Sequence, residues 1–241
     1  MESYNGAGMT TVYDAKNRPR STSWLGTNAT YAFNAMGQRV RKSGSHLSTG
    51  HRFYAYDEAG RTLGEYDGHG DPIEEYVYLD GFRPVALVRN IGLSLVADIY
   101  PVLTDHLGTP RKVLDDTGAP QWSWDAKDPY GHQMPDQLVG GSTFVFNLRF
   151  PGQRYDSETG LYHNGFRDYN PATGRYVQAD PIGLVGGWNP YVYVGSSPTM
   201  YSDPLGLEKY VEFAEGKNRG LIRAAEKHSN RYWQLGSLDA W

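Results

Sequence analysis

Tyr13-Asp14-Ala15-Lys16-Asn17-Arg18, Phe33-Asn34-Ala35-Met36-Gly37-Gln38-Arg39 and Tyr56-Asp57-Glu58-Ala59-Gly60-Arg61 repeat one pattern at a spacing of roughly twenty residues. Each unit runs aromatic, Asp or Asn, two spacers, Gly or Asn, with Arg close behind. The aromatic residue ends a strand, the Asp/Asn-x-x-Gly supplies the turn, and the residues after Arg begin the return strand. The intervening sequence agrees. Glu74-Glu75-Tyr76-Val77-Tyr78-Leu79 has strand composition, Asp80-Gly81 turns the chain, and Arg83-Pro84-Val85-Ala86-Leu87-Val88 reads as a return strand, with its proline near the start where proline is tolerated. Hairpins of this kind bury their faces against their neighbours, as in solenoids and wrapped sheets. The expected fold class is mainly β.

Composition points the same way. The 241 residues include 19 Tyr and 29 Gly, while hydrophobic residues make up only 39%. Tyrosine favours strands and glycine favours turns. The aromatic residues argue for a packed interior rather than disorder. The net charge of −4 shows no basic stripe, so no nucleic-acid partner is expected. With no cysteine, thiolate and disulfide chemistry are excluded. Met1-Glu2-Ser3-Tyr4-Asn5-Gly6 lacks the basic and apolar regions of a signal peptide, and the best apolar run, Ile91 to Ile99, is too short to span a bilayer. The chain reads as soluble, with any export to the cell surface or beyond using a route without a standard signal peptide.

A denser segment runs from about Tyr100 to Leu207, with Gly140-Gly141-Ser142 as a local loop. After it, glycine thins out. Tyr210, Phe213, Ala214, Leu221, Ala224, Ala225 and His228 recur at three-to-four spacing, which predicts one or two short helices. The expected division is 1–99 repeat hairpins, 100–207 core and 208–241 variable tail.

Several motifs in the dense segment resemble those of the Rhs/YD-repeat family and its repeat-associated core. They begin with Thr104-Asp105-His106-Leu107-Gly108-Thr109-Pro110-Arg111 and continue with Gln153-Arg154-Tyr155-Asp156-Ser157-Glu158-Thr159-Gly160-Leu161-Tyr162. Arg167-Asp168-Tyr169-Asn170-Pro171-Ala172-Thr173-Gly174-Arg175-Tyr176, Asp180-Pro181-Ile182-Gly183-Leu184, Asn189-Pro190-Tyr191-Val192-Tyr193-Val194 and Asp203-Pro204-Leu205-Gly206-Leu207 complete the match. It is ordered and nearly gap-free, and with the upstream repeats it covers most of residues 10 to 207.

The resemblance implies a strip of wrapped β-shell closed by a C-terminal core or plug. In the bacterial polymorphic toxins of this family, the core is an aspartyl autoprotease that cuts after the terminal Asp-Pro-x-Gly-Leu and frees a toxin segment. Carried over residue by residue, the resemblance makes Asp180 and Asp203 the acid/base pair and Arg167 their supporting cation. The cleaved bond is then Leu207–Glu208. Two close carboxylates resist joint ionisation, so one holds a proton while the other activates water; the sequence leaves open which. Arg167 either fixes the ionised partner or stabilises the developing oxyanion. Such a site turns over once and needs no metal or cofactor. Its substrate is the chain's own C-terminal segment. A larger Rhs shell, a secretion-system component and an immunity protein are the other partners the resemblance brings into view.

Other readings compete. Asp-Pro-x-Gly is also an ordinary turn, the expected use at Asp128-Pro129-Tyr130-Gly131 and at Asp71-Pro72. The copy at Asp180 raises cleavage after Leu184 as a second register. Asp105-His106 reads as a strand-to-turn position before a general base or metal site, and the tyrosines and tryptophans read as core before sugar-stacking surfaces. His163 and Phe166 depart from the family pattern and receive no role. The repeats are too few to enclose a cargo alone and the 208–241 stretch is short for a toxin. A non-enzymatic YD-repeat structural or adhesion module, or a truncated Rhs fragment, is therefore the alternative.

Overall fold

The computed structural model describes residues 3–6, 8–91, 96–125 and 127–207. The expected tail helices and Glu208 lie outside these residues.

The described residues form a mainly β structure. The strands β1 (Ser3–Gly6), β2 (Met9–Tyr13), β3 (Pro19–Trp24), β4 (Thr27–Phe33), β5 (Arg39–Gly44), β6 (His51–Tyr56), β7 (Thr62–Asp67) and β8 (Pro72–Tyr78) are followed by β9 (Pro84–Arg89), β10 (Asp98–Thr104), β11 (Pro110–Leu114) and β12 (Pro120–Ser123). They make one 12-stranded antiparallel sheet in strict chain order, with β1 and β12 as its edges. β10 bridges residues 99 and 100 and pairs with both β9 and β11. A second sheet of four strands holds β13 (Gln153–Asp156), β14 (Leu161–Asn164), β15 (Arg167–Asn170) and β16 (Arg175–Tyr176), again in chain order.

The repeat motif is a five-residue turn with one chemistry. Asp14 Oδ1 accepts from Lys16 N at 2.9 Å and Arg18 N at 3.0 Å. Asp57 does the same for Ala59 and Arg61, and Asp105 for Leu107 and Thr109. The fourth turn residue needs a positive φ, which explains Asn or Gly there: Asn17 has φ 59° and Gly60 φ 83°. The motif arginine folds back on its own aspartate, with Arg18 Nη2 2.6 Å from Asp14 Oδ2. Asp105 is thus a turn residue, and His106 Nε2 lies 3.0 Å from the Thr199 carbonyl.

In a meander these turns all lie at one end of the long sheet, and that rim meets the core. A Cβ on Gly37 would stand 3.0 Å from the Phe166 ring, and one on Gly60 would stand 3.2 Å from Leu205 Cδ2. β13, β14 and β15 are buried along almost their whole length because material covers both faces. Two kinds of contact hold the core sheet to the shell. The later strands bury an apolar cluster that includes Leu87, Val113, Trp122, Trp124, Phe146, Phe150, Tyr162 and Tyr169. The tryptophans at 122 and 124 are therefore core, as expected. The earlier strands present charge. Arg39 Nη1 meets Asp156 Oδ2 at 2.6 Å, Lys42 Nζ meets Asp156 and Glu158 at 2.9 and 3.0 Å, and Tyr31 donates to Glu158 at 3.0 Å. These ions are nearly inaccessible to water. Desolvation offsets much of the attraction in such pairs, but removing one partner would leave a buried charge uncompensated.

Candidate functional site

The site lies where Asp203-Pro204-Leu205-Gly206-Leu207 threads against β14 and β15. Two glycines let the backbones approach. A Cβ on Gly152 would fall 1.9 Å from the Pro204 carbonyl oxygen, and one on Gly165 would fall 2.5 Å from that of Leu205. Both have positive φ, 79° and 55°. Phe166 N then donates to Leu205 O at 3.1 Å, and Asn164 Nδ2 donates to Asp203 O at 2.9 Å. The aspartate that opens the motif is pinned through its own backbone.

Asp180, Asp203 and Arg167 come together. Arg167 Nη1 is 2.9 Å from Asp180 Oδ2 and Nη2 is 3.1 Å from Asp203 Oδ2, so one guanidinium bridges both carboxylates. Arg167 Nε donates to Gly206 O at 2.6 Å and Nη1 to Pro190 O at 3.1 Å. Asp203 accepts twice more, from the Tyr176 hydroxyl at 2.8 Å and from Leu207 N at 2.8 Å. The Gly206–Leu207 peptide is therefore gripped at both ends, its oxygen by Arg167 and its N–H by Asp203. The next carbonyl along the chain is that of Leu207.

Burial dominates the electrostatics of Asp203. It pushes the carboxyl up to about 6, with Asp180 adding in the same direction, against the lowering effect of Arg167, Leu207 N–H and Tyr176. Asp203 has a folded pKa above its unfolded value. Its contribution to stability is full below the ordinary carboxylate range and is lost as pH rises through about 6. Asp180 is held by its own turn, with Ile182 N donating to Oδ1 at 3.0 Å. The two Asp-Pro-x-Gly-Leu copies end differently. Leu207 is buried and its N–H reaches Asp203, whereas Leu184 is 73% exposed.

Two residues of this site escaped the sequence reading. Tyr176 stacks under Arg167, whose Cζ lies 3.7 Å from the ring centroid, while its hydroxyl donates to Asp203 and accepts from Asn164 Nδ2 at 2.8 Å. Tyr176 closes the quoted Arg167–Tyr176 motif, and the cross-strand register of β14 with β15 sets Asn164 opposite Arg167. The motif was the signal for Tyr176, and nothing in the sequence pointed to Asn164. His163 and Phe166 have structural uses. His163 Nδ1 is 3.1 Å from Asp168 Oδ1, and burial pushes the imidazole down to about 4, so it is neutral at pH 7. Among the described residues, no group of three or more His, Asp or Glu side chains is placed to hold a metal ion. None of their helices is long and apolar enough to cross a membrane.

Residues 95–186 match the Teneurin YD-shell family. The chain is 40% identical to toxin protein Tse5 of Pseudomonas aeruginosa over 124 residues, which are 52% of this chain and 9% of that protein. It is 31% identical to probable deoxyribonuclease RhsA of Dickeya dadantii over 222 residues, 91% of this chain and 15% of that one. The Photorhabdus luminescens Tc holotoxin pore superposes with a TM-score of 0.60 at 19% identity, covering 87% of this chain and 10% of the other. That last likeness is one of fold. The chain spans no more than 15% of the length of these relatives.

Proposed function

We propose, for a chain that belongs to the Rhs/YD-repeat family, that residues 100–207 act as a shell-closing core that cuts the chain once after Leu207 by a paired-aspartate mechanism. The cut releases the segment that begins at Glu208. The observation that carries this reading is the clamp on Gly206–Leu207 by Arg167 and Asp203, with Asp180 on the same guanidinium.

The chemistry follows from those contacts. One carboxylate takes a proton from water as the hydroxyl adds to the Leu207 carbonyl carbon, and the other, protonated, donates to the carbonyl oxygen. Collapse of the tetrahedral adduct breaks the bond to the Glu208 nitrogen, which takes a proton and leaves as an amine. One water is consumed. The substrate is already attached, so positioning supplies much of the rate. Arg167 has its donors engaged on Asp180, Asp203, Gly206 and Pro190, which favours a fixing role over oxyanion binding. The raised pKa of Asp203 favours that residue as the holder of the proton. In the longer relatives the matched region would be the common scaffold and the differently named activities would lie elsewhere. A larger shell is the partner this reading requires; secretion and immunity partners are further proposals.

The pH dependence has a definite sign. The singly protonated pair is populated as pH falls through about 6, so the cleavage rate is expected to fall as pH rises from 5 to 8. A rate that is flat across that range, followed by intact mass, would count against Asp203 as the acid. Tyr176→Phe removes a donor that lowers the Asp203 pKa, so it should shift this limb to higher pH and slow cleavage about tenfold. A purely structural Tyr176 would change stability and leave the limb in place.

A further inference from the structure

Two residues beside the site lean on the long sheet. Phe166 immediately precedes Arg167, and Leu205 follows Asp203 across Pro204. They stand on facing segments, joined where Phe166 N donates to Leu205 O at 3.1 Å. The next residue of the motif is packed as closely. A Cβ on Gly206 would fall 2.3 Å from Asn164 O and 3.3 Å from Arg167 N. A shift of Phe166 or Leu205 therefore reaches Arg167 and Asp203 through backbone that has no slack to absorb it.

Both side chains end on hairpin turns of the sheet. Phe166 presents its Cε1 to Gly37 in the β4–β5 turn, and Leu205 presents its Cδ2 to Gly60 in the β6–β7 turn. The distances of 3.0 and 3.2 Å to an added Cβ are shorter than carbon–carbon contact, so nothing larger than glycine fits without moving the core residue. The β7–β8 turn supplies the contrast. It has the build of the β6–β7 turn, with Asp67 Oδ1 accepting from His69 N at 2.8 Å and from Asp71 N at 3.0 Å. Gly70 has φ 90° where Gly60 has 83°, yet a Cβ on Gly70 would meet nothing within 4 Å among the described residues. Asn17 holds the equivalent place in the first repeat turn at φ 59°, so this backbone accepts asparagine. What distinguishes Gly60 from Gly70 is the core residue standing in front of it.

We propose that Phe166 and Leu205 are positioning residues for the Arg167, Asp180 and Asp203 site, with the turns at Gly37 and Gly60 as the stop that sets them. The inference rests on the cleavage reading above and adds its regulation: the site is complete only while the second and third repeat turns are seated on the core. Neither side chain touches the reacting atoms. Each acts through its own backbone, Phe166 on Arg167 and Leu205 on the Gly206–Leu207 peptide that Arg167 and Asp203 clamp. The effect on rate is large because a misplacement of about 1 Å at a reacting centre can cost about a hundredfold.

The test follows cleavage of the full chain by intact mass, with a thermal melt of each variant. Gly60→Asn should slow cleavage about tenfold, because its Cβ pushes on Leu205. Gly70→Asn, the same change on the same kind of turn facing open space, should cut at the parent rate. Adding Leu205→Val to Gly60→Asn removes the Cδ2 atom in the way and should bring the rate back to within about threefold of the parent. A contact that merely holds the core to the sheet would lower the melting temperature without this recovery of rate. If Gly60→Asn does not fold, Leu205→Ala, which leaves the turn untouched, should slow cleavage by about the same factor. Gly60→Asn or Leu205→Ala cutting at the parent rate would overturn the proposal, as would a slow Gly60→Asn that Leu205→Val fails to recover. A folded parent chain that stays intact would instead overturn the cleavage reading, and this inference with it.

Discussion

Asparagine in place of Asp203 is expected to leave the chain uncut, with cleavage slowed on the order of 10³-fold or more. The amide has almost the same shape, so Leu207 N–H still finds an oxygen at that position. What it cannot do is move a proton. Its NH₂ group also meets Arg167 Nη2 and the Tyr176 hydroxyl where a carboxylate oxygen stood. The fold should survive, because the backbone of residue 203 stays pinned by Asn164 and the two sheets meet through contacts elsewhere. The control is thermal melting: Arg167 Nη2 loses its acceptor at residue 203 while Asp180 still holds that guanidinium, so the melt should stay cooperative with a loss of about 1–3 kcal/mol. A cleaved chain in both Asp203→Asn and Asp180→Asn would refute the residue assignment while leaving cleavage itself to be explained.

Arg167→Gln should have the largest effect on stability. One guanidinium serves two buried carboxylates, and its loss takes that cation from both. Breaking a buried pair by removing one partner costs about 3–5 kcal/mol. It also frees the Gly206 and Pro190 carbonyls. The penalty should depend on pH. Arg167 lowers the Asp203 pKa, so without it that carboxyl rises further. Near pH 8 the variant must bury charge, whereas near pH 4 Asp203 is protonated and the missing cation matters less. Denaturant melts should therefore show a large loss at pH 8 that shrinks toward pH 4. A loss independent of pH would mean that Arg167 acts through packing on Tyr176 rather than through charge.

The sequence carried the long sheet in its turns. Asp14, Asp57 and Asp105 each satisfy two backbone N–H groups, a local interaction whose spacing is visible in the chain. The strands read at Glu74–Leu79 and Arg83–Val88 are β8 (Pro72–Tyr78) and β9 (Pro84–Arg89), within two residues at each end. The meeting of Asp180, Asp203 and Arg167 was legible only through the ordered family motif, because their contacts cross loops whose path no periodicity encodes. Asn164 was missed because it joins the site through the register of β14 with β15, and Tyr176, although it stands in the quoted motif, carries no mark there of its contact with Asp203. The charged layer of Arg39, Lys42, Asp156 and Glu158 was also invisible, since each residue alone reads as surface and only the packing of the two sheets makes it interior.

The most direct test of the central claim is the intact mass of the freshly purified full chain, followed over time at pH 4 to 8. Self-cleavage predicts a species ending at Leu207 and a released piece whose first residue is Glu208, forming faster at pH 5 than at pH 8. A single intact mass at every pH after prolonged incubation, or a released piece that begins at any residue other than Glu208, would contradict it.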